Sequence, residues 1–404
     1  MAGALQGIKV LELGHWGVIP MGTALMADCG ADVIKLENPK GGDWIRGFTS
    51  IEGISLEQKG IHVTFELMNR GKRGMAIDLK RKEGRQIVYD LVKGADVFAT
   101  NYQQDVLEQL HMTYETLSKL NRGLVYAHLT AFGKKGPEGG KPGFDYSAYW
   151  ARSGVMGKLA AAGGPPSTQR PAYGDSTTAM MVAGGIAMAL VSRGKTGEGQ
   201  QVDVSLLGTG IWTSNFDLQI YLMSGQEFPN TDRQKARNPL WNTYQTKDGR
   251  WMQLVMVISD VYWGDFCQAV GLTDLERDPR YDSHARREQN RESLLPVIAK
   301  TMASKTLGEW EQIFDKRNLP TSRVATIPEV ANDRQAHANG HFQELDHPIA
   351  GKIKLVAAPV QFSKTPAHVA GPAPQLGQHT EEILLEMGKT WDDIARLKEQ
   401  GVIP

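Results

Sequence analysis

The sequence predicts an α/β fold: a large domain on a doubly wound, largely parallel sheet, with a smaller α+β domain. Three observations carry this. Short β-branched runs alternate with helical patterns over the first 130 residues, glycines stand where helices should stop, and the composition shifts at residues 225–237. Strands alternating with helices form βαβ units, which build parallel sheets. Residues 8–13 (IKVLEL) read as the first strand, 20–28 as a helix with Gly30 at its C-cap, and 32–36 (DVIKL) as the second strand. A third strand is predicted over 75–79, an amphipathic helix over 82–92 ending at Gly94, and two further strands over 96–100 and 124–130. Gly and Pro cluster from 133 to 171, marking loops around one short helical stretch at 146–153. The small-residue run 176–192 (STTAMMVAGGIAMALVS) predicts a tightly packed core helix, since it is short and too rich in Gly and Ala for a membrane span. A strand at QVDVSL and a helix through Tyr221 follow. The polar stretch 225–237 reads as a linker, so residues 1–224 form the large domain and 225–329 the small one.

The bulk numbers restrict the function class. Lys and Arg number 45 against 45 Asp and Glu, so no charge excess points to nucleic acid or an anionic membrane surface. Cys29 and Cys267 are too few and too far apart for a disulfide framework or a zinc site, and read as buried thiols in a reducing compartment. The first residues, MAGALQGIKV, lack the basic start and apolar stretch of a signal peptide. A soluble, cytoplasmic protein is the expectation.

The local motifs leave alternatives open. Gly14, Gly17 and Gly22 with Glu37 resemble a dinucleotide turn, but the GxGxxG spacing is missing, so a plain structural turn leads over NAD binding. The helix start there still offers N–H groups to an anionic ligand. Asn69, Arg70, Lys72 and Arg73, followed by a run ending at Lys80, suit phosphates or equally a solvated loop. Asp175 in PAYGDSTTAM is either an ordinary helix N-cap or a carboxylate nucleophile open to a ligand. His15, His111, His128 and His337 show no metal-ligand spacing, and no GxSxG elbow is present.

Longer stretches decide more. GIKVLELGHWGVIPMGTALMADCGADVIKLENPKGGDWIRG, NRGKRGMAIDLK, GADVFATNY, LVYAHLTAFGKKGP, KPGFDYSAYWARSGVMG, YGDSTTAM, KTGEGQQVDVSL and PQLGQHTEEILLEMG occur in that order. Together they resemble the class III CoA-transferases, the group that includes formyl-CoA transferase, carnitine CoA-transferase and α-methylacyl-CoA racemase. The resemblance implies a Rossmann-like large domain that residues 330–404 rejoin, and an interlocked homodimer, or a hetero-oligomer with a homologous subunit. It implies coenzyme A as substrate, bound at His15, Gly17, Val18, Arg73, Ile77, Asp78, Leu79, Lys80, Asn101, Tyr102, Lys141 and Asp145, with Asp175 as the catalytic carboxylate and no metal. Two family arginines are Asn38 and Gln109 here, for which Arg70, Lys72 or Arg73 could compensate. The glycine-rich flap of formyl-CoA transferase is absent, which argues against formate and oxalate.

The racemases of the family place a His in a GHD sequence, and the matching residues here are Gly143, Phe144 and Asp145. Phenylalanine cannot move a proton, which favours transfer of CoA between organic acids, with an acyl-CoA and a free carboxylic acid as partners. The alternatives are a racemase and a non-catalytic CoA-binding subunit. The stretch PGFDYSAYWARSGVMG looks most like enzymes acting on aryl or branched acids, with dicarboxylic acids a further class. Trp16, Phe144, Tyr149 and Trp150 suggest an apolar acyl pocket.

Overall fold

The computed structural model describes residues 3–404. The chain forms two compact units: one holds the residues up to Gly157, Thr168–Gln226 and His337–Pro404, the other Lys158–Ser167 and Glu227–Ala336.

Six parallel strands organise the first unit: β1 (Lys9–Leu13), β2 (Asp32–Glu37), β3 (Arg73–Ala76), β4 (Val97–Thr100), β5 (Val125–Thr130) and β6 (Gln201–Ser205). Their spatial order is β6-β5-β4-β1-β2-β3, so the order reverses between β1 and β4. At such a switch point the loops leaving two neighbouring strands diverge to opposite faces and open a crevice at the carboxyl ends. Alternate side chains feed two cores. Leu11, Leu13, Leu36 and Met75 pack with helix α2 (Lys82–Lys93) and the C-terminal Ile383, Leu384 and Ile394 on one face. Val10, Val33, Ala99 and Ala127 pack with helices α1 (Val18–Asp28) and α3 (Tyr173–Thr196) on the other. With both faces covered the strands are apolar almost throughout, as the runs IKVLEL and VFAT require.

Several boundaries differ from the sequence expectation. The third strand is Arg73–Ala76, not 75–79, which leaves Ile77 to Lys80 in the loop beyond its carboxyl end. The short helical stretch is a π-helix, Tyr146–Arg152. Helix α3 starts at Tyr173, so Asp175 lies in its first turn; the N-cap is Ala172, at φ 61°. Asp175 therefore does not cap the helix.

Helix α3 is long and apolar enough to cross a membrane by length and composition, and 33% of its most apolar stretch is buried. Helices α4 (Leu206–Thr213) and α5 (Asn215–Ser224) follow β6, and α5 has no buried residue. The second unit has a three-stranded antiparallel sheet and its own core around Trp310, Phe266, Phe314 and Leu294.

Candidate active site

A cavity of about 700 Å³ opens at the switch point. His15, Trp16, Gly17 and Val18 line it from the β1–α1 loop, Asn101 and Tyr102 from the end of β4, Lys141 to Asp145 from the loop before the π-helix, and Asp175 from α3. Eight of the thirteen residues expected from the sequence are thus brought together: His15, Gly17, Val18, Asn101, Tyr102, Lys141, Asp145 and Asp175.

Ile77, Asp78, Leu79 and Lys80 line a smaller adjoining cavity, with Asn38 and Tyr102 on the rims of both. Arg73 lines neither. Its guanidinium is taken up by Asp32, Glu382 and Glu386 on the outer edge of the sheet. Arg70 is held by Asp28 and Lys72 is buried against Glu12. The basic run therefore serves the fold and does not replace the missing family arginines: carboxylates reach each of these cations first. The cations that do line the larger cavity are Lys40, Lys134 and Lys141.

The β1–α1 loop is pinned from several sides. The His15 amide donates to Asn101 Oδ1 (3.1 Å), and Asn101 Nδ2 donates back to the His15 carbonyl (2.7 Å). Burial lowers the His15 pKa, and its ring stacks on Trp44 at 5.3 Å and lies 5.0 Å from Tyr102. A neutral, stacked imidazole presents a flat polar wall. Gly17 meets the carboxylate of Asp175 directly, for a Cβ there would fall 2.5 Å from Asp175 Oδ2. Helix α1 begins beside that carboxylate, and its first-turn N–H groups lack intrahelical partners.

Asp175 shares the site with a second carboxylate. Burial, and then the charge of Asp145, push the Asp175 pKa up to about 7. Burial likewise raises Asp145 to about 6, against the Trp150 indole and the amides of Gly174, Asp175 and Ala172. Those donors face Asp145 but none closes a hydrogen bond to either carboxyl oxygen. Two carboxylates in one desolvated pocket cannot ionise independently, so they titrate as a pair. Gly174 keeps them close: any Cβ there would overlap Asp145 Oδ1 and the Tyr149 ring.

Trp16 and Phe144 meet edge to face at 6.1 Å, with Phe48 5.6 Å from Trp16, and form an apolar wall. Tyr149 and Trp150 do not line the cavity. Both are buried in the core behind Asp145, where the π-helix needs large side chains to fill the gap to α3. Sequence reasoning missed the Asp145–Asp175 pairing and His128 at the cavity, because neither has a local spacing signal.

The chain matches CoA-transferase family III over residues 5–380. It belongs to that family. The protein is a CoA-transferase, an enzyme for which coenzyme A is a substrate. It is 33% identical over 401 residues, 99% of either chain, to the (R)-2-hydroxy-4-methylpentanoate CoA-transferase of Clostridioides difficile. It is also 33% identical over 397 residues to the cinnamoyl-CoA:phenyllactate CoA-transferase of Clostridium sporogenes, covering 98% of this chain and 96% of that one. A CAIB/BAIF family protein from Brucella suis shares the fold with a TM-score of 0.83 at 26% identity, over 96% of this chain and 100% of the other.

Proposed function

We propose that this CoA-transferase moves CoA between aryl or branched organic acids through covalent intermediates on Asp175. The observation that carries this is a carboxylate in the cavity wall, packed against a residue with no side chain, Gly17. An Asp175 oxygen attacks the donor thioester carbonyl; the C–S bond breaks and CoA leaves as thiolate, giving a mixed anhydride. The thiolate attacks the aspartyl carbonyl, forming an aspartyl-CoA thioester and releasing the donor acid. The acceptor carboxylate then attacks that carbonyl and expels the thiolate, giving a second anhydride. The thiolate attacks the acceptor acyl carbon and frees Asp175. Each tetrahedral oxyanion forms beside the amino end of α1, where backbone N–H groups can stabilise it.

The acyl class rests on the Trp16–Phe144 wall and on the two relatives, whose names specify a branched and an aryl 2-hydroxy acid. Phe144 has no proton to give or take, which favours transfer over racemisation. The test is Asp175→Ala: transfer falls to the background rate, and hydroxylamine trapping of the wild type labels Asp175. A variant that keeps more than a few per cent of the wild-type rate overturns the assignment. Deuterium exchange at the substrate α-carbon with no acceptor acid would favour a racemase instead.

A second copy of the chain completes the reading. Met188, Trp212, Tyr221, Leu222 and Met223 expose large apolar side chains along α3, α4 and α5, with Met223 82% exposed. Exposed large apolar side chains on three successive helices suit an interaction surface, and in this reading a homodimer covers them.

A further inference from the structure

Beneath the β1–α1 loop lies a group of buried charges that the transfer chemistry does not use. Glu12 on β1 and Lys35 on β2 are opposite each other in the parallel register, and Asp43 and Lys72 join them, all four buried. Lys35 Nζ donates to Glu12 Oε1 (2.7 Å), Asp43 Oδ2 (2.8 Å) and the Gly14 carbonyl (3.0 Å). Lys72 Nζ donates to Glu12 Oε2 (2.7 Å) and to the Pro20 carbonyl (2.8 Å). Two acids and two bases balance. Burial opposes the Glu12 charge, but both ammonium groups outweigh it and hold its carboxyl down at about 2.

Clusters of this kind seldom stabilise more than well-packed apolar side chains would. What this one does is fix geometry. It grips the chain at Gly14 and Pro20, on either side of Gly17, and a third grip falls between them. Asp43 Oδ1 accepts the Trp16 amide (3.0 Å) and the Ile45 amide (3.1 Å). Trp16 sits at φ 61°, a left-handed conformation that a bulky residue adopts only when its surroundings impose it. Released from Asp43, Trp16 can return to φ < 0, and the peptide plane leading to Gly17 turns with it.

We infer that Asp43, braced by Lys35, is a positioning residue for CoA transfer: it holds Trp16 left-handed and so keeps Gly17 and the amino end of α1 in place beside Asp175. The inference rests on the reading of Asp175 as nucleophile. Asp43 itself does not line the cavity, although its neighbours Gly42 and Trp44 do.

The experiment compares wild type, Asp43→Ala and Asp43→Asn by steady-state transfer, thermal unfolding and single-turnover hydroxylamine trapping. Asp43→Ala is expected to lose on the order of 100-fold in kcat while folded at the assay temperature, with KM for the acyl-CoA within about threefold and trapping at Asp175 slowed in parallel. Asparagine keeps an oxygen for the Trp16 amide, so Asp43→Asn should recover to within about tenfold of wild-type kcat. Where Asp43→Ala does not fold, Asp43→Ser, which can cap Ile45 but cannot span to Lys35, is expected to show the same loss in kcat. A folded Ala or Ser variant with wild-type kcat overturns the inference, as does an Asn variant no better than Ala. A wild-type chain that neither transfers nor traps at Asp175 overturns instead the reading on which the inference rests.

Discussion

In the proposed mechanism Asp175 attacks a thioester only as the anion, and its pocket works against that form. With its pKa pushed up to about 7 by burial and by Asp145, kcat/KM should rise with pH and level off above an apparent value near 7. A pH–rate profile of the free enzyme tests this. Asp145→Asn removes the neighbouring charge and should move that inflection about one pH unit lower. An unchanged inflection would mean that burial alone sets it. The same shift affects stability with a definite sign. The folded state binds the proton more tightly than the unfolded chain, whose carboxyl titrates near 3.8, so this contribution is present below that pH and is lost as pH rises toward 7. Asp175→Asn should therefore be more stable than wild type at pH 8, by on the order of 2 kcal/mol, in urea melts.

Two glycines act through the elements they join. Gly17 links the β1–α1 loop to α1, and a methyl group there would stand 2.5 Å from Asp175 Oδ2. Gly17→Ala should fold, since its φ of −89° suits any residue, but the displaced carboxylate should cost about 100-fold in kcat. Gly174 lies in the first turn of α3, packed on the π-helix, where any added Cβ overlaps both Asp145 and Tyr149. Gly174→Ala should lose about 1–3 kcal/mol of stability in addition to activity. The two variants separate a contact made only with Asp175 from one that also holds two helices together.

At the scale of the whole molecule, the strand order brings together segments far apart in the chain: residues 15–18, 101–102, 141–145 and 175 meet where the sheet reverses. The exposed apolar side chains of α3 to α5 bear on assembly. Sedimentation should give a dimer, and Leu222→Glu with Met223→Glu should shift it toward monomer; a wild-type monomer at micromolar concentration would rule the dimer out.

The alternating β and helical runs were enough to read the parallel sheet, because a buried parallel strand needs an apolar run and its crossover needs a helix. The motifs around Gly17, Asn101 and Asp175 were ambiguous one by one, and only their order along the chain, as a resemblance to a family, pointed to a shared site. The fate of the basic run was not. Arg70, Lys72 and Arg73 look like phosphate ligands in one dimension, and only the packed chain shows Asp28, Glu12 and Asp32 reaching them first. Nor could spacing show that Asp145 and Asp175, thirty residues apart, share one desolvated pocket, or that Asp43 holds Trp16 from 27 residues away. Propensity and periodicity act between near neighbours, so the sequence alone determined the fold class, and its ordered motifs gave the family resemblance from which the proposed role of Asp175 follows. Burial and charge pairing act through space, so only the tertiary structure decided which charges are spent on the fold and which are left for chemistry.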